Sequence, residues 1–280
     1  MARDPSIVGR RAVLGGVAAA AGLAALPESR LAWAQSGKTL RAGIAGYNVI
    51  NTLDPGKASL IPEFYVIWAL YNALVKFDGK MNIVPDLAET YKVAEDGTLE
   101  IKLRPNIKFH DGSACTTDDV KFSLERILDE KFASPNRSKV SAVDKIEIVD
   151  PLTLRLHTKE PFAPLLTFLA NARTGTQILP RAAVQAAPGD DFGKKPIGTG
   201  AYMLKEWRPG ERLSLAAFDG YFAGAPKIAT VDMPLIAEES SGVSCASLTM
   251  QPAQFTRGLT RTESASGSDA NSGIGKTPMW

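Results

Sequence analysis

The sequence predicts a mixed α+β domain, from two antiparallel hairpins and the capped amphipathic helix between them. In the first hairpin Leu99, Ile101 and Leu103 alternate with Glu100 and Lys102, so one face of the strand is buried and the other is wet. In the second, Ile146 and Ile148 alternate up to Asp150-Pro151, and Leu152, Leu154 and Leu156 alternate back. The helix opens at Thr116 with Asp119 three residues on, a capping-box pattern. Asp118 and Asp119 also suit the positive end of the helix dipole. Val120, Leu124, Ile127 and Leu128 then fall at i, i+4, i+7 and i+8 and form one apolar stripe.

Residues 1–34 stand apart from this domain. Arg3, Arg10 and Arg11 make a positive leading region, Ala12 to Leu26 is apolar without a charge, and Ala32-Trp33-Ala34 is an A-x-A cleavage pattern that leaves Gln35 as the new terminus. The apolar run is short of the ~20 residues that span a bilayer. The expectation is therefore a cleaved export signal rather than an anchor. The Arg10-Arg11 pair, followed by Ala12-Val13-Leu14, is similar to a twin-arginine signal, although Gly9 stands where Ser or Thr is usual.

Beyond the signal, Lys38 to Ile44 reads as a first strand and Tyr47 to Pro55 as a polar loop. Pro62 to Val75 reads as a helix with Val66, Leu70 and Leu74 at fourfold spacing. The aromatic residues Tyr65, Trp68 and Tyr71 around that stripe are expected in the core. Tyr91 and Val93 lead to a turn at Asp96-Gly97, and Arg104-Pro105 interrupts the next ladder because proline has no N–H to donate. Ile107 and Phe109 resume it before His110-Asp111-Gly112 closes it. Pro161 to Ala170 is a short apolar helix and Asn171 to Pro180 a loop. Trp207, Pro209 and Gly210 mark a last hairpin, with Leu213, Leu215 and Ala217 as its return strand. Gly198-Thr199-Gly200 lacks the spaced third glycine and the following helix of a phosphate cradle, so it is a tight turn ahead of a strand.

Composition excludes several classes. At 45% hydrophobic and 22% charged residues the chain can bury a core, and a net charge of +2 calls for no polyanionic partner. The two cysteines, Cys115 and Cys245, are too few and too far apart for a disulfide framework. Neither His110 nor His157 has a nucleophile elbow nearby in sequence, and no His/Cys spacing suits zinc. Catalytic and metal residues are therefore expected to be absent. No basic stretch interleaved with aromatics points to nucleic acid.

The run AEDGTLEIKLRPNIKFHDGSACTTDDVKFSLERI, from Ala94 to Ile127, resembles the signature of the peptide/nickel (oligopeptide/dipeptide) class of extracytoplasmic solute-binding proteins, which feed ABC importers. Leu53-Asp54-Pro55, the YNALVKFDG step from Tyr71, PIGTGAYMLKEWRPGERLSLAAF from Pro196 and YFAGAPKIATVDMPLI from Tyr221 carry it further. The resemblance implies a periplasmic-binding-protein-like α/β fold of two lobes (type II), with residues 35–239 as the first lobe and 59–165 as an inserted subdomain. It implies a monomeric periplasmic binder, not an enzyme, without cofactor. Such a protein closes on a peptide, nickel chelate, opine or sugar and presents it to membrane permease subunits. From the first lobe it implies Tyr47, Asn48, Asn51 and Arg173 as ligand contacts. After Glu239 the resemblance stops. Residues 240–280 are rich in Ser, Gly and Thr without apolar periodicity, and read as a disordered or frameshifted tail where the second lobe is expected. A nonfunctional truncated fragment and, less well supported, a secreted hydrolase are the alternatives.

Overall fold

The computed structural model describes residues 38–47, 49–187, 189–237 and 247–249. The export signal, Asn48 and most of the expected tail lie outside the described residues. The chain opens with β1 (Thr39–Arg41) and β2 (Ile44–Ala45), then α1 (Ile61–Leu70), β3 (Val75–Phe77) and β4 (Ile83–Pro85). The first predicted hairpin is β5 (Ala88–Val93) and β6 (Leu99–Leu103), and the capped helix is α2 (Thr117–Leu128), followed by the single turn α3 (Arg137–Val140). The second hairpin is β7 (Val143–Asp150) and β8 (Thr153–Thr158). After it come α4 (Leu165–Ala170), α5 (Arg181–Ala186), β9 (Tyr202–Arg208), β10 (Arg212–Ala217), β11 (Thr230–Ile236) and β12 (Ser247–Thr249).

Two sheets organise these elements. The hairpins merge into an antiparallel sheet ordered β5-β6-β8-β7, in which Ile101 stands opposite Leu154 and Leu99 opposite Leu156. These residues share a face, and α2 covers it with Val120 and Leu124, both fully buried. The larger sheet is ordered β12-β1-β11-β10-β9, with β2 also paired to β11. β1 and β2 both run parallel to β11, and β12, from the stretch expected to lack regular structure, pairs antiparallel with β1. Against this sheet α1 packs Val66, Ile67 and Leu70, all fully buried. The core under the antiparallel sheet begins at Leu74 and ends at Ile178, and Ile197 touches both cores.

The N-terminal end of α2 forms as its sequence predicts. The backbone N–H and hydroxyl of Thr116 both donate to Asp119 Oδ2, at 2.9 and 3.1 Å. Asp119 Oδ1 accepts the Arg181 N–H at 2.9 Å, which ties the helix start to α5.

Three expectations are corrected. The helix predicted over Pro62 to Val75 ends at Leu70, because the carbonyl of Leu70 accepts the Gly200 N–H at 2.9 Å and Thr199 Oγ1 accepts the Asn72 N–H at 3.2 Å. Of the aromatic stripe only Tyr71 is in the core. Tyr65 and Trp68 are 50% and 55% exposed, because Val66, Ile67 and Leu70 already point the other side of α1 inward. Ile107 and Phe109 are buried but form no strand, as only Lys108 and Ala114 make an isolated bridge there.

Candidate functional site

The loop after β2 is fixed by a buried ion pair. Arg126 of α2 donates to Asp54 through both terminal nitrogens, at 2.9 and 2.6 Å, and its guanidinium lies 3.9 Å from the ring centre of Phe132. The loop's next carbonyls are also taken. Ser134 donates to the Gly56 carbonyl at 2.5 Å, and Asn136 Nδ2 donates to the Ala58 carbonyl at 3.1 Å. Gly175 closes the junction at φ +73°, where a Cβ would stand 2.6 Å from the Pro55 carbonyl oxygen, so both its conformation and its neighbours require glycine.

These three segments enclose a depression of about 380 Å³ lined by Ser59, Asn136, Lys139, Asn171 and Arg173, with Phe168 as apolar wall. Lys139 Nζ donates to Asn136 Oδ1 at 2.7 Å and to the Arg173 carbonyl at 3.0 Å. Burial, and after it the nearby Arg173 guanidinium, holds the Lys139 amine below its usual range. No carboxylate is among the lining residues. Two cations with amide and hydroxyl groups around them make a receptor for an anion, and a carboxylate placed there would relieve the repulsion that now burdens Lys139.

Of the ligand contacts that the resemblance implies, Asn48 lies outside the described residues, and among the described ones only Arg173 lines this depression. Asn51 is exposed and lines a separate depression beside β9, while its backbone N–H donates to Glu63 Oε1 at 3.1 Å. Tyr47 is half-buried and packs against the core of the larger sheet. The structure therefore does not bring Asn51 and Arg173 into one pocket. Lys139 and Asn136 escaped the sequence reading. Ser134-Pro135-Asn136 marks a turn, but nothing local shows that Lys139 meets a residue 34 positions away.

Both histidines are engaged elsewhere. His110 bonds Gly198 and Gly200 through its two ring nitrogens. His157 lies 2.9 Å from Glu147 Oε2 and 3.3 Å from Thr98 Oγ1, but Thr98 donates its one hydroxyl hydrogen to Asp96, so it is not offered as a nucleophile. Among the described residues no group of three His, Cys, Asp or Glu side chains could hold a metal, and no helix is long and apolar enough to cross a membrane.

Residues 82–246 match the family described as bacterial extracellular solute-binding proteins, family 5 Middle. The chain is 32% identical over 214 residues to the glutathione-binding protein GsiB of Pectobacterium atrosepticum, covering 76% of this chain and 40% of that one. It superimposes with a TM-score of 0.68, at 32% identity, on the solute-binding protein MoaA of A. tumefacien R10 in complex with mannopinic acid, over 74% of this chain and 42% of that one. The oligopeptide-binding protein AppA of Bacillus subtilis, in complex with a nonapeptide, matches with a TM-score of 0.65 and 29% identity over 72% of this chain and 40% of AppA. The chain thus spans about 40% of the length of the relatives it matches.

Proposed function

The chain belongs to the family 5 bacterial extracellular solute-binding proteins, and on that premise we propose that it forms the first lobe of the substrate-binding component of an ABC importer. The ligand is a carboxylate-bearing peptide or similar small solute, and Lys139 and Arg173 receive its carboxylate. The observation that carries this reading is the cationic depression itself, in which a half-buried lysine and an arginine share one rim without an acidic side chain among the lining residues. Glutathione, mannopinic acid and a nonapeptide, the ligands named for three relatives, all carry carboxylates.

In this mechanism Arg173 and Lys139 anchor the charge, Asn136 and Asn171 orient it, and Phe168 covers the apolar part. Each charge-assisted hydrogen bond contributes about 1.5–3 kcal/mol. A facing lobe closes over the ligand by a hinge motion, and the closed shape is what the permease subunits read. Tyr47, Asn48 and Asn51 follow the first strands of the same lobe and are assigned ligand contacts reached on closure. The protein acts as a monomeric binder without turnover. Arg10 and Arg11 route it to the periplasm, and cleavage follows Ala32-Trp33-Ala34.

The test is a heteronuclear NMR titration of the chain with glutathione and mannopinic acid, and with their amidated forms. Such a titration reads saturable binding down to affinities in about the millimolar range. Saturable shifts of residues around Lys139 and Arg173 by the acids alone support the proposal. Equal shifts by acids and amides, or none, refute it.

A further inference from the structure

We infer that the depression between β9 and the segment Lys194–Ile197 is a second binding site, for a small aromatic carboxylate, distinct from the Lys139–Arg173 depression. It encloses about 810 Å³, within the range of small-molecule sites. Its walls are apolar, from Ile50, Pro196, Ile197, Leu204 and the Trp207 ring. Its rim is cationic, from Lys194, Lys195 and Lys205.

The shape of β9 is the first argument. Side chains on a regular strand alternate between faces, yet Leu204, Lys205, Glu206 and Trp207 all line this one depression. A bulge interrupts the strand here. Ser214 stands opposite Glu206 and Leu215 opposite Leu204, so Lys205 is an extra residue without a partner on β10. Such bulges re-aim side chains and are features of a fold rather than defects. β9 is also the last strand of its sheet, so no neighbouring strand fills the space beside it among the described residues.

Charge and hydrogen bonding give the second argument. Glu206 is the one acid among the lining residues, and it accepts from Arg208 Nε at 2.7 Å and Arg212 Nη2 at 3.2 Å. Lys194 is paired with Asp191 at 2.8 Å, which leaves Lys195 and Lys205 without an ion pair among the described residues. The Trp207 indole N–H is shielded from solvent and has no acceptor among them. A buried donor without an acceptor is an unmet cost, which a ligand carboxylate offsets. A flat apolar body against Trp207 with a carboxylate toward Lys195 and Lys205 satisfies wall, rim and donor together.

The experiment titrates the full chain with naphthalene-2-carboxylate and, separately, with neutral naphthalene-2-carboxamide, following the indole Nε1–H resonance of Trp207 assigned through Trp207→Phe. The expected result is a saturable shift with the acid and at least tenfold weaker binding of the amide. Lys195→Gln with Lys205→Gln, both exposed and harmless to folding, should weaken the acid at least fivefold. Arg173→Ala should leave this binding unchanged, so a failure of the transport reading and a failure of this one are told apart. No saturable shift, an amide that binds as tightly as the acid, or loss of binding in Arg173→Ala would each overturn the inference.

Discussion

The backbone N–H of Gly198 donates to Nδ1 of His110 at 3.1 Å, so the ring proton sits on Nε2, which faces the carbonyl of Gly200 at 3.0 Å. The Gly198 carbonyl in turn accepts the His110 backbone N–H at 2.8 Å. One imidazole thereby staples the turn after β6 to the turn before β9, two segments that are far apart in the chain. Burial pushes the His110 pKa below its ordinary 6.5. The unfolded chain therefore takes up the proton first. Stability from this group is whole above about pH 6.5 and declines as pH falls from there toward the lower folded value. Urea melts of the protein should show a midpoint that drops between pH 7.5 and 5.5, and His110→Asn should lower the midpoint at neutral pH while removing that part of the slope. A slope equal in both proteins would show that His110 does not carry it.

Glycine at 198 and 200 is required by proximity rather than by backbone dihedral. A Cβ on Gly200 would stand 2.3 Å from the Leu70 carbonyl carbon, and one on Gly198 would stand 2.1 Å from the Leu70 oxygen. Gly200→Ala must push the end of α1 away from the turn and should cost about 3 kcal/mol by denaturant melting. A neutral Gly200→Ala would mean that the turn does not press on α1 as described.

Much of this architecture was legible in the sequence, for a local reason. Period-two alternation at Leu99–Leu103 and Leu152–Leu156 shows in any short window, and so does the Thr116–Asp119 helix start. Gly198-Thr199-Gly200 is likewise told from a phosphate cradle by its immediate neighbours, since neither a spaced third glycine nor a helix follows it. The end of α1 was hidden because Leu74 continues the fourfold stripe of Val66 and Leu70, while the competing bonds come from Thr199 and Gly200, more than 120 residues away. The same holds for the site. Arg173 was named through a resemblance, but its partner Lys139 reaches it only through the tertiary fold.

The Asp54–Arg126 pair should carry much of the stability around the candidate site. The side chains are 5% and 14% exposed, so Arg126→Ala leaves a buried carboxylate uncompensated and should cost about 3–5 kcal/mol. Removing Asp54 as well should recover part of that loss. If Arg126→Ala costs under about 1 kcal/mol, the pair is no more than a surface contact.

Export has a direct readout in the proposed account. N-terminal sequencing of periplasmic material should give Gln35 as the first residue. Lysine at both Arg10 and Arg11 should hold the protein in the cytoplasm if the route is twin-arginine. Protein that keeps Met1 on the membrane would contradict cleavage.

The central claim is that Lys139 and Arg173 hold a ligand carboxylate. The most direct measurement is the binding of mannopinic acid to the chain, beside Arg173→Ala and Lys139→Ala, followed by NMR at constant ionic strength. Each variant should weaken binding about tenfold or more, the loss of one charge-assisted hydrogen bond of about 1.5–3 kcal/mol, with the fold unchanged by circular dichroism. Binding that survives both substitutions at full strength would contradict the account and place the ligand elsewhere on the lobe.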